Sequence, residues 1–272
     1  MEPTPEQLTK LENLKTYLKS LGSLAVGFSG GVDSTFLLYV AKEVLGNKAM
    51  AVTAKSSFCP HREMAEAEAF CAANDILQVV FDADENRSEE VTNNPPNRCY
   101  LCKKAIFSSI KKLAAEKGIE YVAEGSNMDD LGDYRPGLQA VAEMNITSPL
   151  REAKLTKSDI RALSSMYGLP TWNKPSYACL ASRFVYGEKI TDEKLSMVDK
   201  AEQLLLDLGF SQMRVRIHGD MARIEVLPED ISKLVEERTR LLVAKKFKEL
   251  GFSYVSMDLI GYRTGSMNEV IL

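Results

Sequence analysis

The chain has 272 residues, of which 45% are hydrophobic, so it can bury a sizeable core and suits one large domain with a smaller one. Its formal net charge is −4, and no overall positive field would draw it onto nucleic acid. The longest apolar runs are too short to span a bilayer, and the first residues lack the basic and apolar segments of an export signal, so a cytoplasmic location is expected.

Strands and helices are predicted to alternate over the first two thirds of the chain. Strands are predicted at 23–28, 49–54, 76–81, 120–123 and 147–150, and helices at 5–21, 33–45, 60–74, 99–117 and 156–167. This alternation predicts an α/β fold with a parallel sheet covered by helices on both faces. Because ligands bind beyond the carboxyl ends of such strands, the turns after Phe28, Ala54 and Ala123 are expected to converge on one site.

The pattern changes beyond about residue 184. A helix at 192–208 precedes a hairpin of strands 212–217 and 222–226, and a long helix at 228–250 and a strand at 254–260 follow. These elements predict a small α+β domain. Two domains are therefore expected, at residues 1–184 and 185–272.

A glycine-rich segment, Ser29-Gly30-Gly31-Val32-Asp33-Ser34, lies between the first predicted strand and the next helix. The glycines let the backbone approach phosphate oxygens, the helix N-terminus attracts anions, and Ser29 and Ser34 add hydroxyl donors. The Asp33 carboxylate only accepts hydrogen bonds, so ligation of Mg²⁺ is its expected role. An ordinary glycine turn, with Asp33 and Ser34 as helix caps, is the alternative.

No Gly-Lys-Ser/Thr follows, so the segment is not a Walker loop; it resembles the phosphate loop of the ATP pyrophosphatase (PP-loop) superfamily. The resemblance implies ATP and Mg²⁺ as cofactors and an adenylation that releases pyrophosphate. Two further segments resemble the same superfamily: Thr53–Ser56, with Ala54 and Ser56 where adenine lies, and Glu124–Asn127, with Gly125 and Asn127. Lys157, in a third such segment, is equally well explained by phosphate contact and by a solvated helix face.

The cysteines form two arrangements of interest. Cys99 and Cys102 make a C-x-x-C at a helix start, and Cys179 lies in the segment 172–183. Lys174 and Arg183 near Cys179 in the sequence, and a helix N-terminus near Cys99, would favour thiolates. An odd total of five cysteines argues against a disulfide framework.

These motifs together resemble the ATP-dependent sacrificial sulfur transferases that mature the nickel-pincer nucleotide cofactor of lactate racemase. The segments that carry the resemblance are Ser29–Ser34, Glu124–Asn127, Tyr134–Gly137, Pro175–Arg183, Arg214–Arg216 and Gly261–Ser266. The resemblance implies a pyridinium biscarboxylate mononucleotide as substrate, adenylation of its carboxylate, attack by sulfur and release of AMP. It also implies a homo-oligomer, a hexameric ring. In members with a single cysteine, the residue matching Cys179 gives up its own sulfur.

Three cysteines can hold a [4Fe-4S] cluster with one iron open, and cluster-bearing members of the family support that interpretation for Cys99, Cys102 and Cys179. Three alternatives remain. Cys99 and Cys102 are helix core residues and Cys179 acts alone; they bind zinc with Cys59 and His61; or they form a redox disulfide. Cys71 is predicted to be a core residue.

Arginines are the remaining candidates. Arg214 and Arg216 are predicted to bind the phosphate of the substrate, and the alternative is cross-strand ion pairing on a solvated face. Arg263 has the same expected role with weaker support. Arg135 is expected to face the adenylate, with a loop salt bridge as the alternative, and Arg183 and Cys179 complete the catalytic set with Asp33.

Three other functions compete with sulfur transfer to a small nucleotide. The first is tRNA thiolation, which the acidic balance disfavours. The second is amidation, as in NAD or GMP synthesis, which needs no cysteine at these positions. The third is a non-catalytic ATP sensor, against which the complete phosphate loop with Asp33 argues.

Overall fold

The computed structural model describes residues 3–85, 87–132, 136–175, 178–263 and 266. Contacts divide the chain into two compact units. The first comprises Met1–Ser56, His61–Arg87 and Asn97–Tyr177, and the second Ser57–Pro60, Ser88–Pro96 and Ala178–Leu272. The predicted boundary between two domains after residue 184 stays a prediction. By contacts, residues 57–60, 88–96 and 178–184 group with the C-terminal part of the chain.

The elements follow the predicted order for most of the chain. The strands are β1 (Leu24–Gly27), β2 (Ala49–Lys55), β3 (Leu77–Asp82), β4 (Tyr121–Ala123), β5 (Met213–His218), β6 (Met221–Val226) and β7 (Tyr254–Met257). The helices are α1 (Pro5–Leu21), α2 (Val32–Leu45), α3 (His61–Ala73), α4 (Glu89–Thr92), α5 (Arg98–Glu116), α6 (Pro136–Glu143), α7 (Pro149–Glu152), α8 (Lys157–Met166), α9 (Asp192–Asp207), α10 (Ile231–Val235) and α11 (Glu237–Glu249). Of the helices in these described ranges, none has the length and apolar character that crossing a bilayer requires.

The first unit contains a parallel sheet in the order β3-β2-β1-β4. Side chains of β1 alternate between its two faces: Val26 packs with Phe36 of α2 in one core cluster, and Ala25 packs with Phe107 of α5 in the other. Both faces are therefore covered by helices, which confirms the predicted α/β fold. The carboxyl ends of β1, β2 and β4 lie side by side at one edge.

The predicted fifth strand at residues 147–150 is wrong. Thr147 makes one isolated bridge to Ala123, and the chain then turns into the short helix α7. Pro149 explains the change, since it has no N–H for a ladder hydrogen bond and its fixed φ suits the first position of a helix. The carbonyl of Pro149 accepts from the amide of Ala153 at 3.0 Å.

The second unit holds a three-stranded sheet in the order β5-β6-β7. Strands β5 and β6 form the predicted antiparallel hairpin, and β7 runs parallel to β6. The inward residues of β5 that the alternation predicted, Met213, Val215 and Ile217, are all buried. The hairpin prediction is confirmed.

The predicted long helix at 228–250 is also wrong, because the backbone of Glu236 is extended (φ −50°, ψ 138°) and separates α10 from α11. Leu234, Val243 and Phe247 are all buried. At 3.6 residues per turn, a continuous helix would point Leu234 and Val243 in nearly opposite directions. The break lets both side chains enter the core of this unit.

Candidate active site

The phosphate loop connects β1 to the N-terminus of α2. Gly30 has a left-handed φ of 71°, which a residue with a side chain adopts only with strain. Gly31 is the N-cap of α2 and supplies no side-chain cap. The first amides of α2 therefore lack the partner that a capping residue would give them, and such amides together with the helix dipole attract phosphate.

The two loop hydroxyls lie beside these amides. The Oγ atoms of Ser29 and Ser34 are 3.2 Å apart, and Ser34 Oγ donates to the Gly31 carbonyl at 3.2 Å. Ser34 is buried and Ser29 is exposed. These contacts give the loop a defined shape.

The turn that follows β4 packs directly on the start of α2. A Cβ atom added to Gly125 would lie 3.1 Å from the Ser34 amide nitrogen, so the absence of a side chain leaves that amide accessible. Asn127 Nδ2 donates to Asp33 Oδ1 at 3.2 Å. The structure therefore brings together Ser29–Ser34, Gly125 and Asn127, at the edge where the ends of β1 and β4 meet.

Lys157, the first residue of α8, forms an ion pair with Asp33 Oδ2. Its amide also donates to Asp129 Oδ2 at 2.8 Å. Asp33 therefore accepts from Asn127 at Oδ1 and pairs with Lys157 at Oδ2, and carboxylate oxygens are ligands that suit Mg²⁺. Lys157 is half-buried and contacts one oxygen of Asp33, which favours a role in this site over a purely solvated helix face.

Two acidic residues in and just after the Glu124–Asn127 segment had no role assigned to them from the sequence. Asp129 holds the amide of Lys157, and Glu124 is a buried carboxylate at the end of β4. Glu124 accepts from Ser126 Oγ at 2.6 Å and Ser148 Oγ at 2.7 Å, and Lys103 Nζ lies 3.6 Å away. A glutamate directly after a buried strand and before a glycine was the available signal in the sequence.

The end of β2 carries the predicted adenine residues. Ala54 pairs with Phe81 of β3, and both side chains are half-buried. Ser56 Oγ donates to Asp84 Oδ1 at 2.7 Å, so this hydroxyl is oriented by the turn that follows β3.

The C-x-x-C lies in the first two turns of α5, where Cys99 is exposed and Cys102 half-buried. Residues three apart share a helix face, so both thiols are presented on one side. Cys71 belongs to the core, as predicted, and burial raises the pKa of its thiol to about 11. Within the ranges that the structure describes, no three His, Cys, Asp or Glu side chains are grouped to hold a metal ion.

The segment around Cys179, in the second unit, is organised by Arg183. The guanidinium of Arg183 is fully buried and makes a two-fold contact with Glu202, at 2.9 and 2.8 Å. It also donates to the carbonyls of Ala178 and Cys179, at 2.7 and 3.1 Å. Arg183 thus holds the backbone that carries Cys179, while Cys179 itself is exposed.

The sheet of the second unit presents two buried arginines. Arg214 lies over the ring of Tyr262 at 5.0 Å, and burial lowers the pKa of its guanidinium. Arg216 donates to Glu225 at 2.9 Å and to the Ser182 carbonyl at 3.0 Å, whereas its Nε has no acceptor among the residues that the structure describes. Only 3% and 5% of these two residues is exposed, so the solvated face of the alternative is wrong, whereas its cross-strand ion pair is present between Arg216 and Glu225.

Arg263 and Arg135 are the last two predicted arginines. Arg263 donates to Asp258 Oδ1 and to the Gly261 carbonyl, both at 3.3 Å. Arg135 lies outside the described residues. Lys174, predicted to favour a thiolate at Cys179, places its ammonium against the Gly30 carbonyl and Glu66.

The sequence is similar to those of several known proteins. The sequence model of the NAD synthase family matches residues 8–93, which include the phosphate loop. The chain is 42% identical to an uncharacterised protein of Synechocystis sp., over 97% of this chain and 98% of the relative. It is 27% identical, over 69% of this chain and 64% of the relative, to one of the subunits of the glutamine-hydrolysing GMP synthase of Thermoplasma volcanium.

A third relative has a defined activity. The chain is 37% identical to the pyridinium-3,5-bisthiocarboxylic acid mononucleotide synthase of Lactiplantibacillus plantarum, over 97% of this chain and 95% of the relative. Identity at this level over nearly the whole of both chains, with the phosphate loop intact, establishes the relationship. The protein belongs to the pyridinium-3,5-bisthiocarboxylic acid mononucleotide synthase family and carries its PP-loop nucleotide-binding fold.

Proposed function

We propose that this protein is an ATP-dependent sulfur transferase of nickel-pincer nucleotide biosynthesis, the pathway that matures lactate racemase. It adenylates a carboxylate of pyridinium-3,5-biscarboxylic acid mononucleotide and converts it to a thiocarboxylate. The observation that carries the proposal is the PP-loop, with uncapped α2 amides beside the Asp33 carboxylate. The family to which the chain belongs supports the choice of acceptor.

The chemistry divides into two displacements. A carboxylate oxygen attacks the α-phosphorus of ATP, the bond from that phosphorus to the α–β bridging oxygen breaks, and pyrophosphate leaves. Sulfur then attacks the acyl carbon, and AMP leaves with the carboxylate oxygen. The protein contributes mainly positioning and neutralisation of charge on the departing pyrophosphate.

The first unit supplies the groups for ATP. The backbone of Gly30 and Gly31 and the hydroxyls of Ser29 and Ser34 bind the phosphates, and Asp33 holds Mg²⁺, which neutralises phosphate charge. Ala54 and Ser56 border the adenine. Gly125 and Asn127, which follow β4, pack against the phosphate loop. The geometry supports these roles, since a side chain at Gly125 would cover the Ser34 amide.

The remaining predicted residues act on the nucleotide acceptor. Arg214 and Arg216 are proposed to bind its phosphate, because both are buried cations and Arg216 Nε lacks an acceptor within the described part of the chain. Arg263 assists them, and Arg135 faces the adenylate. Arg183 serves catalysis by holding the carbonyl of Cys179 rather than by touching the acceptor.

For the sulfur source we propose a [4Fe-4S] cluster held by Cys99, Cys102 and Cys179, which would supply sulfide at an iron without a cysteine ligand. The donors fit in kind, because thiolates are the ligands that such clusters require and Cys99 and Cys179 are exposed. The support is the C-x-x-C spacing and the family resemblance.

The second candidate is a single turnover by Cys179 alone, which the exposure of its thiol favours. Its thiolate would attack the acyl adenylate, and β-elimination would then break the Cβ–Sγ bond with loss of the Cα proton. The products are the thiocarboxylate and a dehydroalanine at position 179.

Two measurements test the proposal. Pyrophosphate release with ATP, Mg²⁺ and the biscarboxylate nucleotide should fall at least about 100-fold in Asp33→Asn, and stay unchanged in the exposed control Asp207→Asn. Equal rates in Asp33→Asn and wild type would reject the adenylation site.

Ammonia in place of a sulfur source should give no amide, whereas amide formation would favour the amidation alternative.

Anaerobic reconstitution with iron and sulfide separates the two sulfur sources. A cluster predicts broad absorbance near about 400 nm, loss of bound iron in each of the variants C99A, C102A and C179A, and several products per chain. Sacrifice predicts a colourless protein, one product per chain and a mass loss at Cys179 equal to H₂S. A full iron content in all three variants would rule out the assigned ligands.

Assembly and location complete the proposal. A homo-oligomer, as a hexameric ring, is proposed from the family resemblance, and a cytoplasmic location is proposed because the reaction consumes ATP. Sedimentation of the purified protein tests the first directly: a monomer at micromolar concentration would exclude the ring.

A further inference from the structure

The peptide that joins Gly30 to Gly31 is the part of the phosphate loop with the least steric restraint. Gly30 is left-handed (φ 71°), Gly31 is extended (φ −78°, ψ 163°), and neither has a Cβ. A trans peptide is planar, so the Gly30 carbonyl and the Gly31 N–H point in opposite directions. Any group that holds the carbonyl therefore also sets the direction of the amide.

Lys174 holds that carbonyl. Its Nζ donates to Gly30 O at 3.1 Å and to Glu66 Oε2 at 2.7 Å. Only 13% of the Lys174 side chain is exposed, against 57% of Glu66. An ammonium fixed between a carbonyl and a carboxylate has a defined position, so the Gly31 N–H is directed away from it.

Lys174 is itself anchored to the rest of the first unit. Arg161 of α8 donates to the carbonyls of Trp172 and Lys174, at 2.8 and 2.7 Å. Lys157 lies four residues before Arg161, on the same face of the helix, and pairs with Asp33. One face of α8 therefore fixes both the Asp33 carboxylate and, through Lys174, the glycine peptide.

We propose that Lys174 is a positioning residue of the phosphate loop: it fixes the Gly30–Gly31 peptide so that the Gly31 amide donates to the β- and γ-phosphates of ATP. It acts through Gly30 and is not a ligand of the nucleotide. The inference rests on the proposed function, because it takes the loop to be the triphosphate site. It assigns to Lys174 a role other than activating the Cys179 thiol.

The test is calorimetric binding to the full chain with Mg²⁺, using inorganic pyrophosphate and AMP as probes. In Lys174→Met the affinity for pyrophosphate should fall about tenfold, while the affinity for AMP, which lacks the β- and γ-phosphates, should change less than about twofold. Lys174→Arg keeps an N–H donor and should restore binding to within about threefold. The control Lys112→Met, an exposed lysine on α5, should bind both probes like wild type.

Unchanged pyrophosphate affinity in a folded Lys174→Met overturns the inference, as does an equal loss for both probes. If Lys174→Met does not fold, Lys174→Gln replaces it, since its amide is one bond too short to reach Gly30 and the same loss is expected; wild-type affinity in that variant also overturns the inference. The proposed function fails separately, by a wild-type protein that binds neither pyrophosphate nor ATP.

Discussion

At the scale of single residues, burial decides what each arginine can do. Arg183 and Glu202 are both fully buried and face each other through two hydrogen bonds. Burial opposes ionisation of Glu202, yet Arg183, together with the Arg214 charge and the Val215 amide, more than offsets it and lowers the pKa of that carboxyl. Neither side chain meets solvent, so the pair defines the fold around Cys179.

Replacement of Arg183 by alanine should destabilise the protein by about 3–5 kcal/mol, because it leaves the Glu202 carboxylate buried without its cation. Urea unfolding at pH 7 measures the loss. Arg240→Ala, which removes an exposed arginine of α11, is the control and should change stability by less than about 0.5 kcal/mol. A stable Arg183→Ala protein that has lost sulfur transfer would show instead that Arg183 takes part in the chemistry.

Under the proposed function Asp33 holds Mg²⁺, and Lys157, which pairs with Asp33 Oδ2, would compete with the metal for that oxygen. Lys157→Met should therefore bind Mn²⁺, as a probe for Mg²⁺, about three- to tenfold more tightly without nucleotide, since no ammonium has to be displaced. Titration followed by electron paramagnetic resonance measures the free metal. Lys112→Met is again the matched control, and weaker Mn²⁺ binding in Lys157→Met would mean that the lysine orients Asp33 rather than competing for it.

At the scale of elements, the helix N-termini differ in a way that bears on function. Thr4 caps α1 and Thr156 caps α8, each in a capping box, and Thr191 caps α9, whereas Gly31 gives α2 no side-chain cap. The capped helices satisfy their own first amides. The helices α5, α10 and α11 also lack a side-chain cap, so what distinguishes α2 is that its uncapped end directly follows the glycines of the proposed phosphate loop.

The start of α8 is tied to α1 through Asp159. Burial alone would raise the pKa of this carboxyl, but hydrogen bonds from Lys10, from Thr156 and from Gln7 outweigh it and lower the pKa from 3.8 to about 2. A carboxyl with a lowered pKa in the folded state stabilises the protein above its unfolded pKa, and this contribution disappears as the pH falls through the folded value. Asp159 therefore protects the position of Lys157 at neutral pH.

Asp159→Asn should cost about 2 kcal/mol of unfolding free energy at pH 6, and the difference from wild type should shrink as the pH falls from about 4 to about 2. Urea unfolding across this pH range measures it. Asp207→Asn, at an exposed carboxylate of α9, should give a difference from wild type that stays small throughout. A pH-independent difference for Asp159→Asn would mean that only the cap, and not the charge, matters.

The helices and strands predicted from the sequence agree with the structure where local sequence signals determine them. The bounds of α1 agree because the period of its leucines and the Pro5 start coincide. The predicted strand at 147–150 was wrong because Pro149, a local signal, opens a helix there. The predicted helix at 228–250 was wrong because a tertiary demand decided it: the core requires Leu234 and Val243 on the same side. The phosphate loop was predictable from its motif, but the contacts of Lys157 and Lys174 depend on chain segments far apart in sequence.

At the scale of the whole molecule, the second unit is assembled from three separate stretches of chain. The Leu180 amide donates to Phe58 O at 2.8 Å, and the Ile190 amide donates to Thr92 O at 2.8 Å. Asn94 Nδ2 donates to Val185 O at 2.7 Å. Residues 57–60 and 88–96 carry no composition that marks them as belonging with the C-terminal part, so this grouping was not predictable from the sequence.

The net charge of the chain predicts that the acceptor is a small nucleotide and not a tRNA. Non-specific binding to nucleic acid is driven by neutralised phosphates, and a chain with 38 acidic and 34 basic side chains has a net charge that opposes it. Filter binding of mixed tRNA at about 150 mM KCl should therefore show half-saturation above about 10 µM. The adenylation activity with the biscarboxylate nucleotide should be unchanged by added tRNA. Tight binding that weakens steeply with salt, or pyrophosphate release that depends on tRNA, would replace the proposed acceptor by an RNA base.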